Sequence, residues 1–265
     1  MRSWLILWAA LTLVYFFGPL RTNILLLGTD DSPLRGALGR TDTIILTTVV
    51  PLRPYVGMLS IPRDLWLPIP GVGEQRINTA YYFAEAQQTG SGPDAIMGTM
   101  YENFGVPVHY YMLIHMEGLI GVVDALGGVD ITLERRMGGL KAGEYHLNGT
   151  EALAFARERY SGDDFSRMQQ GQILIQAIGA KFMTPSAWPH LPGALVAWSQ
   201  AVETNVPIWQ WPRLAFSVLR APVFGVDART ITPEMVFPFM TSGGAQVLGP
   251  NWDAIRPFMD EMFGT

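Results

Sequence analysis

The stretch Thr43-Ile44-Ile45-Leu46-Thr47-Thr48-Val49-Val50-Pro51-Leu52-Arg53-Pro54-Tyr55-Val56-Gly57-Met58-Leu59-Ser60-Ile61 decides the fold. Its first eight residues are β-branched or apolar with no helical period, which predicts a buried strand over 43–50. The next four, with a proline at each end, form a tight turn. A return strand follows over 55–61. Upstream, the segment 23–27, apolar after Asn23 and stopped by Gly28, predicts a strand as well, so the three form an up-down-up meander. In a meander, the loop 28–41 and the end of the third strand share one end of the sheet. Asp30, Asp42 and Arg63 therefore emerge together, with Asp31, Arg40 and Asp64 beside them.

Beyond the meander, helical periods at 78–88 and 93–104 precede a strand at 109–114, a helix at 117–126 and a strand at Val129–Leu133. An Asn148-Gly149 turn leads into a helix over 150–159, and a second helix covers Asp164–Met183. The tail from Ser186 is rich in Pro and Trp, with helical stretches at 193–202 and Trp252–Phe263. Alternating strands and helices predict a layered α/β domain with a mixed sheet. No repeat and no dividing linker is present.

Composition excludes whole classes of function. Charged residues make up 15% of the 265 positions, far too few for a disordered chain. A net charge of −5 argues against a nucleic-acid partner, which requires a basic footprint. With no cysteine, thiolate zinc sites, disulfide scaffolds, iron–sulfur clusters and cysteine nucleophiles all drop out. All but Lys141 and Lys181 of the 18 basic residues are arginine, whose planar fork suits carboxylate and phosphate. Arginine-rich codon usage explains the same bias, so position matters more than number.

The N-terminus carries an apolar run over residues 4–20, flanked by Arg2 and Arg21. At ~1.5 Å per residue it covers roughly 25 Å, slightly short of a ~30 Å hydrocarbon core. No small-residue cleavage site follows. The expectation is an uncleaved transmembrane signal anchor over 1–21 and an extracytoplasmic domain over 22–265.

Two clusters carry chemistry. Asp30 and Asp42 with nearby arginines suit a hard, oxygen-ligated cation such as Mg²⁺ bridging to a phosphate. Singly, such residues serve as turn caps and surface ion pairs. The second cluster is Arg157, Arg159, Asp163, Asp164, Arg167 and Gln170. Arg157 and Arg159, two apart, cannot share a helix face. Arg167 falls in the first turn of the next helix, where a cation opposes the macrodipole unless an anion binds. Gln170 lies one turn further on the same face. The alternative is an aspartate cap paired with Arg167. His109, His115, His146 and His190 show no ligand spacing, and no Walker loop, G-x-S-x-G elbow or dinucleotide fingerprint occurs.

In motif order, the chain from 23 to 176 resembles the LytR-CpsA-Psr family of cell-envelope glycopolymer transferases. The resemblance is carried by Leu26-Leu27-Gly28-Thr29-Asp30, Arg40-Thr41-Asp42-Thr43, Ile61-Pro62-Arg63-Asp64 and Arg76-Ile77-Asn78-Thr79-Ala80-Tyr81. It continues through Val123-Asp124-Ala125-Leu126-Gly127-Gly128-Val129, Leu147-Asn148-Gly149-Thr150-Glu151-Ala152-Leu153, Ala156-Arg157-Glu158-Arg159 and Asp164-Phe165-Ser166-Arg167.

This resemblance implies an α-β-α sandwich facing the wall side of a membrane, with an apolar tunnel for a lipid tail. It implies transfer of a teichoic-acid-like or other anionic or capsular polymer from a polyprenyl pyrophosphate carrier to peptidoglycan, as a phosphodiester. By motif position Asp30 and Asp42 would hold Mg²⁺. Arg63, Arg157, Arg159 and Arg167 would grip the diphosphate, Asp64 would accept the acceptor's proton, and Arg40, Arg76, Asn78 and Gln170 would line the substrate site. The family's R-Q-x-R-Q run reads Arg167-Met168-Gln169-Gln170-Gly171 here, and the spacer after the anchor is nearly absent, which would press the site close to the bilayer. The same residues leave open a lipid-linked pyrophosphate hydrolase and a non-catalytic lipid- or glycan-binding module.

Overall fold

The computed structural model describes residues 2–18, 20–29, 39, 41–52, 55–158, 164–220 and 226–264. The meander is present. β1 (Thr22–Thr29) pairs antiparallel with β2 (Thr41–Val50), which pairs antiparallel with β3 (Tyr55–Ser60), so that Leu25 faces Leu46 and Leu46 faces Leu59. These strands read as unbroken apolar runs because both faces are covered. Ile24, Ile45 and Met58 enter one core, while Leu25, Leu46 and Leu59 enter the other.

After β3 come the hairpin β4 (Trp66–Ile69) and β5 (Gly73–Arg76), then α2 (Asn78–Gln87), α3 (Gly92–Phe104) and β6 (Tyr110–His115), which lies parallel to β1. Next are α4 (Gly118–Ala125), the hairpin β7 (Val129–Leu133) and β8 (Gly143–Leu147), α5 (Gly149–Arg157), α6 (Asp164–Met183) and α7 (Leu191–Ala201). β9 (Val202–Thr204) pairs antiparallel with β6. The chain closes with α8 (Trp211–Arg220), β10 (Val226–Thr230), the hairpin β11 (Val236–Met240) and β12 (Gln246–Pro250), and α9 (Trp252–Phe263). The central mixed sheet has the order β10-β3-β2-β1-β6-β9. One face packs against α4 to α8, the other against α2, α3 and α9, which completes the three layers.

Two expectations are corrected. The N-terminal helix α1 covers Arg2–Phe17, and among the described residues no helix is long and apolar enough to cross a membrane. Sixteen residues reach only about 24 Å. The site is also not pressed against the foot of α1. The short connection after α1 enters β1 at its start, and the pocket described below lies at the other end of that strand, roughly 25 Å away at ~3.3 Å per residue.

Candidate functional site

Asp42 sits where the β1–β2 ladder breaks register. Thr29 opposes Thr41 and Gly28 opposes Thr43, so Asp42 is the extra residue of a bulge. A bulge bends its strand and re-aims the side chain. The chain leaving β3 turns at Pro62, whose carbonyl accepts from Leu65 N at 3.1 Å, and brings Arg63 back across the sheet end. Arg63 Nη1 then donates to Asp42 Oδ1 at 2.9 Å. The second oxygen of Asp42 carries no hydrogen bond from a described residue, and the carboxylate keeps about a fifth of its surface open.

Asp64 extends the chain of charges. Its Oδ2 stands 3.6 Å from Arg63 Nε and its Oδ1 stands 3.2 Å from Arg76 Nε. Arg76 ends β5 and donates through Nη2 to the Gln246 carbonyl at 2.8 Å, while Leu248 N donates to the Asp64 carbonyl at 3.1 Å. The β11–β12 hairpin thus holds both residues from behind. Asn78 opens α2, donates its backbone N–H to the Arg63 carbonyl at 3.3 Å, and is buried with Oδ1 lacking a partner among the described residues.

From the opposite side come the ends of two helices. A capping box starts α5: the Asn148 side chain accepts from Glu151 N at 2.9 Å and Glu151 Oε2 accepts from Asn148 N at 2.9 Å. The helix ends at Arg157, because Glu158 is already extended (φ −64°, ψ 133°). A cation is favourable at that terminus. Arg167 lies in the first turn of α6, where it is not. Arg157 and Arg167 line one pocket of about 140 Å³ together with Asp42, Thr43, Met116, Ala156 and Met168. Two guanidiniums beside the first turn of α6 favour an anion such as a diphosphate.

The structure therefore brings Asp42, Arg157 and Arg167 into one pocket, with Arg63 on Asp42 and Asp64, Arg76 and Asn78 behind it. Gln170 is not in the pocket. It is buried at 2% exposure, its Nε2 lies 3.0 Å from where a Cβ on Gly138 would stand, and its Oε1 has no partner among the described residues. Asp30, Arg40, Arg159 and Asp163 lie outside the described residues. The histidines make local contacts: His109 Nδ1 accepts from Asn23 N at 3.0 Å, His115 Nε2 is 2.9 Å from Glu203, and His146 Nδ1 is 2.6 Å from Asp130. The described residues contain no group of three or more side chains suited to a metal.

Met116 and Met168 line the pocket and were not singled out from sequence. The signal for Met116 was available, since the residue after a strand parallel to β1 falls at the same sheet end as the residue after β1.

For magnesium, the donor chemistry fits. Mg²⁺ is commonly held by one or two carboxylates with substrate phosphate and water completing the shell. Asp42, with an oxygen to spare beside two arginines, supplies such a donor.

Residues 20–240 match the LytR_cpsA_psr family. Among similar proteins, the "Polyisoprenyl-teichoic acid--peptidoglycan teichoic acid transferase TagU" of Oceanobacillus iheyensis is 40% identical over 161 residues, covering 58% of this chain and 49% of that protein. The "Regulatory protein MsrR" of Staphylococcus aureus is 31% identical, covering 93% of this chain and 78% of its own length. The chain spans about half to three-fifths of the length of the curated transferases it matches. In fold, the crystal structure of B. subtilis TagV superposes with a TM-score of 0.74 at 24% identity, over 93% of this chain and 98% of that one.

Proposed function

The chain belongs to the LytR-CpsA-Psr family, and from that premise we propose that it transfers a teichoic-acid-like or related anionic glycopolymer from a polyprenyl pyrophosphate carrier to peptidoglycan. The observation that carries the reading is the pocket shared by Asp42, Arg157 and Arg167. A diphosphate resists attack because its oxygens repel the incoming nucleophile. In the proposed reaction a sugar hydroxyl of the wall attacks the phosphorus on the glycan side. The new P–O bond forms as the bridging P–O bond breaks, and polyprenyl phosphate leaves with the bridging oxygen.

Arg157 and Arg167 spread the charge that builds on the phosphoryl oxygens, which is where fixed cations lower the barrier most. Arg63 orients the Asp42 carboxylate, and by motif position Arg159 and Arg40 are proposed to act on the same diphosphate and substrate. Asp30 and Asp42 are the proposed holders of Mg²⁺, which when bound would supply further charge neutralisation on the phosphates. Arg76 and Asn78 are proposed to shape the substrate side of the site, and Asp64 to take up the hydroxyl proton or to hold the arginines. Met116 and Ala156 bring the edge of the apolar layer between the sheet and α4 to α8 to the pocket, and that edge is where the lipid part of the donor is proposed to lie. We place the protein at the cell membrane with this domain on the wall side.

The test is to incubate the full chain with Mg²⁺, labelled carrier-linked glycan and a peptidoglycan oligomer. Joined product is expected. Free phosphorylated glycan would mean hydrolysis, and retained but unchanged donor would mean a binding module. Chelation of the metal is expected to abolish joining.

A further inference from the structure

The end of the sheet opposite the pocket is built differently. There α1 meets the domain through aromatic contacts: the rings of Phe16 and Phe17 stand edge-on to Phe216 at 5.1 and 5.4 Å, and the Tyr15 hydroxyl donates to the Trp209 carbonyl. Arg220 lies 4.9 Å over the Phe17 ring and donates to the Pro51 carbonyl at 3.2 Å. Arg213 donates to the Leu20 carbonyl at 2.6 Å. These bonds tie the connection after α1, the β2–β3 turn and the segment before α8 into one ring around the foot of the helix.

That ring presents apolar side chains to the outside. Leu20 is 69% exposed, Leu52 55%, Ile208 83% and Trp209 57%. Single exposed apolar residues need no explanation, but four gathered around one helix foot do. The helix itself is apolar on every side, and its residues 4–14 are all exposed. A helix hydrophobic all round belongs inside an apolar medium.

We propose that Leu20, Leu52, Ile208 and Trp209 form a collar that docks into the interfacial layer of a lipid bilayer, continuing the apolar surface of α1. This rests on the reading that α1 holds the protein at a membrane. Tryptophan is favoured in the interfacial layer, and the guanidinium of Arg220, packed on the rings of Phe17 and Phe216, lies where lipid phosphates would be. With the collar docked, the pocket stands about a strand length from the lipid.

The absence of cysteine makes the test clean. Single variants Leu7→Cys, Leu52→Cys, Ile208→Cys and Glu134→Cys, each in the full chain, carry a nitroxide and are reconstituted in phosphatidylglycerol–phosphatidylethanolamine vesicles. Collision with oxygen reports lipid, and collision with a water-soluble nickel chelate reports solvent. Labels at 52 and 208 are expected to favour oxygen as the label at 7 does, with 134 favouring nickel. A label at 7 in lipid with 52 and 208 in water overturns the collar and spares the membrane reading of α1. A label at 7 in water overturns both. Dipolar broadening at 208 without oxygen preference would assign the collar to a second copy of the chain, and that too overturns the proposal.

Discussion

Arg63 and Asp42, 21 positions apart in the chain, meet at 2.9 Å across the end of the sheet. The pair exists because a bulge in β2 turns Asp42 out of the ladder just where the turn after β3 delivers Arg63. Both side chains are about one-fifth exposed, so the ion pair contributes no more than about 1 kcal/mol to stability. Its value is positional. Arg63→Ala is expected to lower kcat for transfer by about 10²-fold, the scale of a misplaced catalytic group, while thermal unfolding stays within a few degrees. Wild-type turnover in that variant, measured with labelled carrier-linked donor, would overturn the role given to Arg63.

Asp64 touches two guanidiniums, Arg63 at 3.6 Å and Arg76 at 3.2 Å. A carboxylate committed in this way is better placed to fix arginines than to take a proton. Asp64→Asn keeps the shape and removes the charge. The expected result is a raised KM for the donor with the acid limb of the pH–kcat profile retained. Disappearance of that limb would instead make Asp64 the base.

The sequence exposed this end of the molecule because direction, not detail, was enough. Three buried strands and one tight turn send the ends of β1 and β3 and the start of β2 to one place, and the end of α5 and the start of α6 bring Arg157 and Arg167 to meet them. What escaped was decided by tertiary pairing. The Val226-Asp227-Ala228-Arg229-Thr230 segment has little β character, yet it forms an edge strand because β3 offers it a parallel partner. On α6, Gln170 and Gln172 are buried although glutamine on a helix usually faces water. Gln172 Nε2 donates to the Arg229 carbonyl at 2.6 Å, a partner invisible until β10 is in place.

That edge strand makes stability sensitive to acid. Burial would push the Asp227 carboxyl up, but bonds from Arg229 (2.8 and 2.9 Å) and the Tyr55 hydroxyl (2.8 Å) outweigh it and hold Asp227 below its ordinary value of 3.8. A pKa lowered on folding stabilises the native state above the unfolded value, and this is lost as pH falls through the folded one. Between about pH 6 and about pH 3, the Tm of wild type is expected to drop more steeply than that of Arg229→Met. Parallel curves would mean the network contributes nothing.

The capping box of α5 isolates a purely structural contribution next to the site. Asn148→Ala removes the side-chain acceptor for Glu151 N and is expected to cost about 1 kcal/mol, seen as a lowered denaturation midpoint. Donor KM should hold, since Arg157 lies two turns away at the other end of the helix. A tenfold rise in KM would show that the cap positions Arg157.

Gln170 offers the sharpest contrast between sequence and structure. Its motif position puts it on the substrate, whereas its side chain is 2% exposed against Gly138, with Oε1 lacking a partner among the described residues. An unsatisfied buried amide oxygen costs about 1–3 kcal/mol, and an apolar side chain of similar length removes that cost. Gln170→Met is therefore expected to leave the unfolding free energy unchanged or raise it by about 1 kcal/mol, with donor KM unaltered. Should KM rise tenfold while stability holds, Gln170 reaches the diphosphate when the donor binds, and the pocket is deeper than its present lining of Asp42, Arg157 and Arg167.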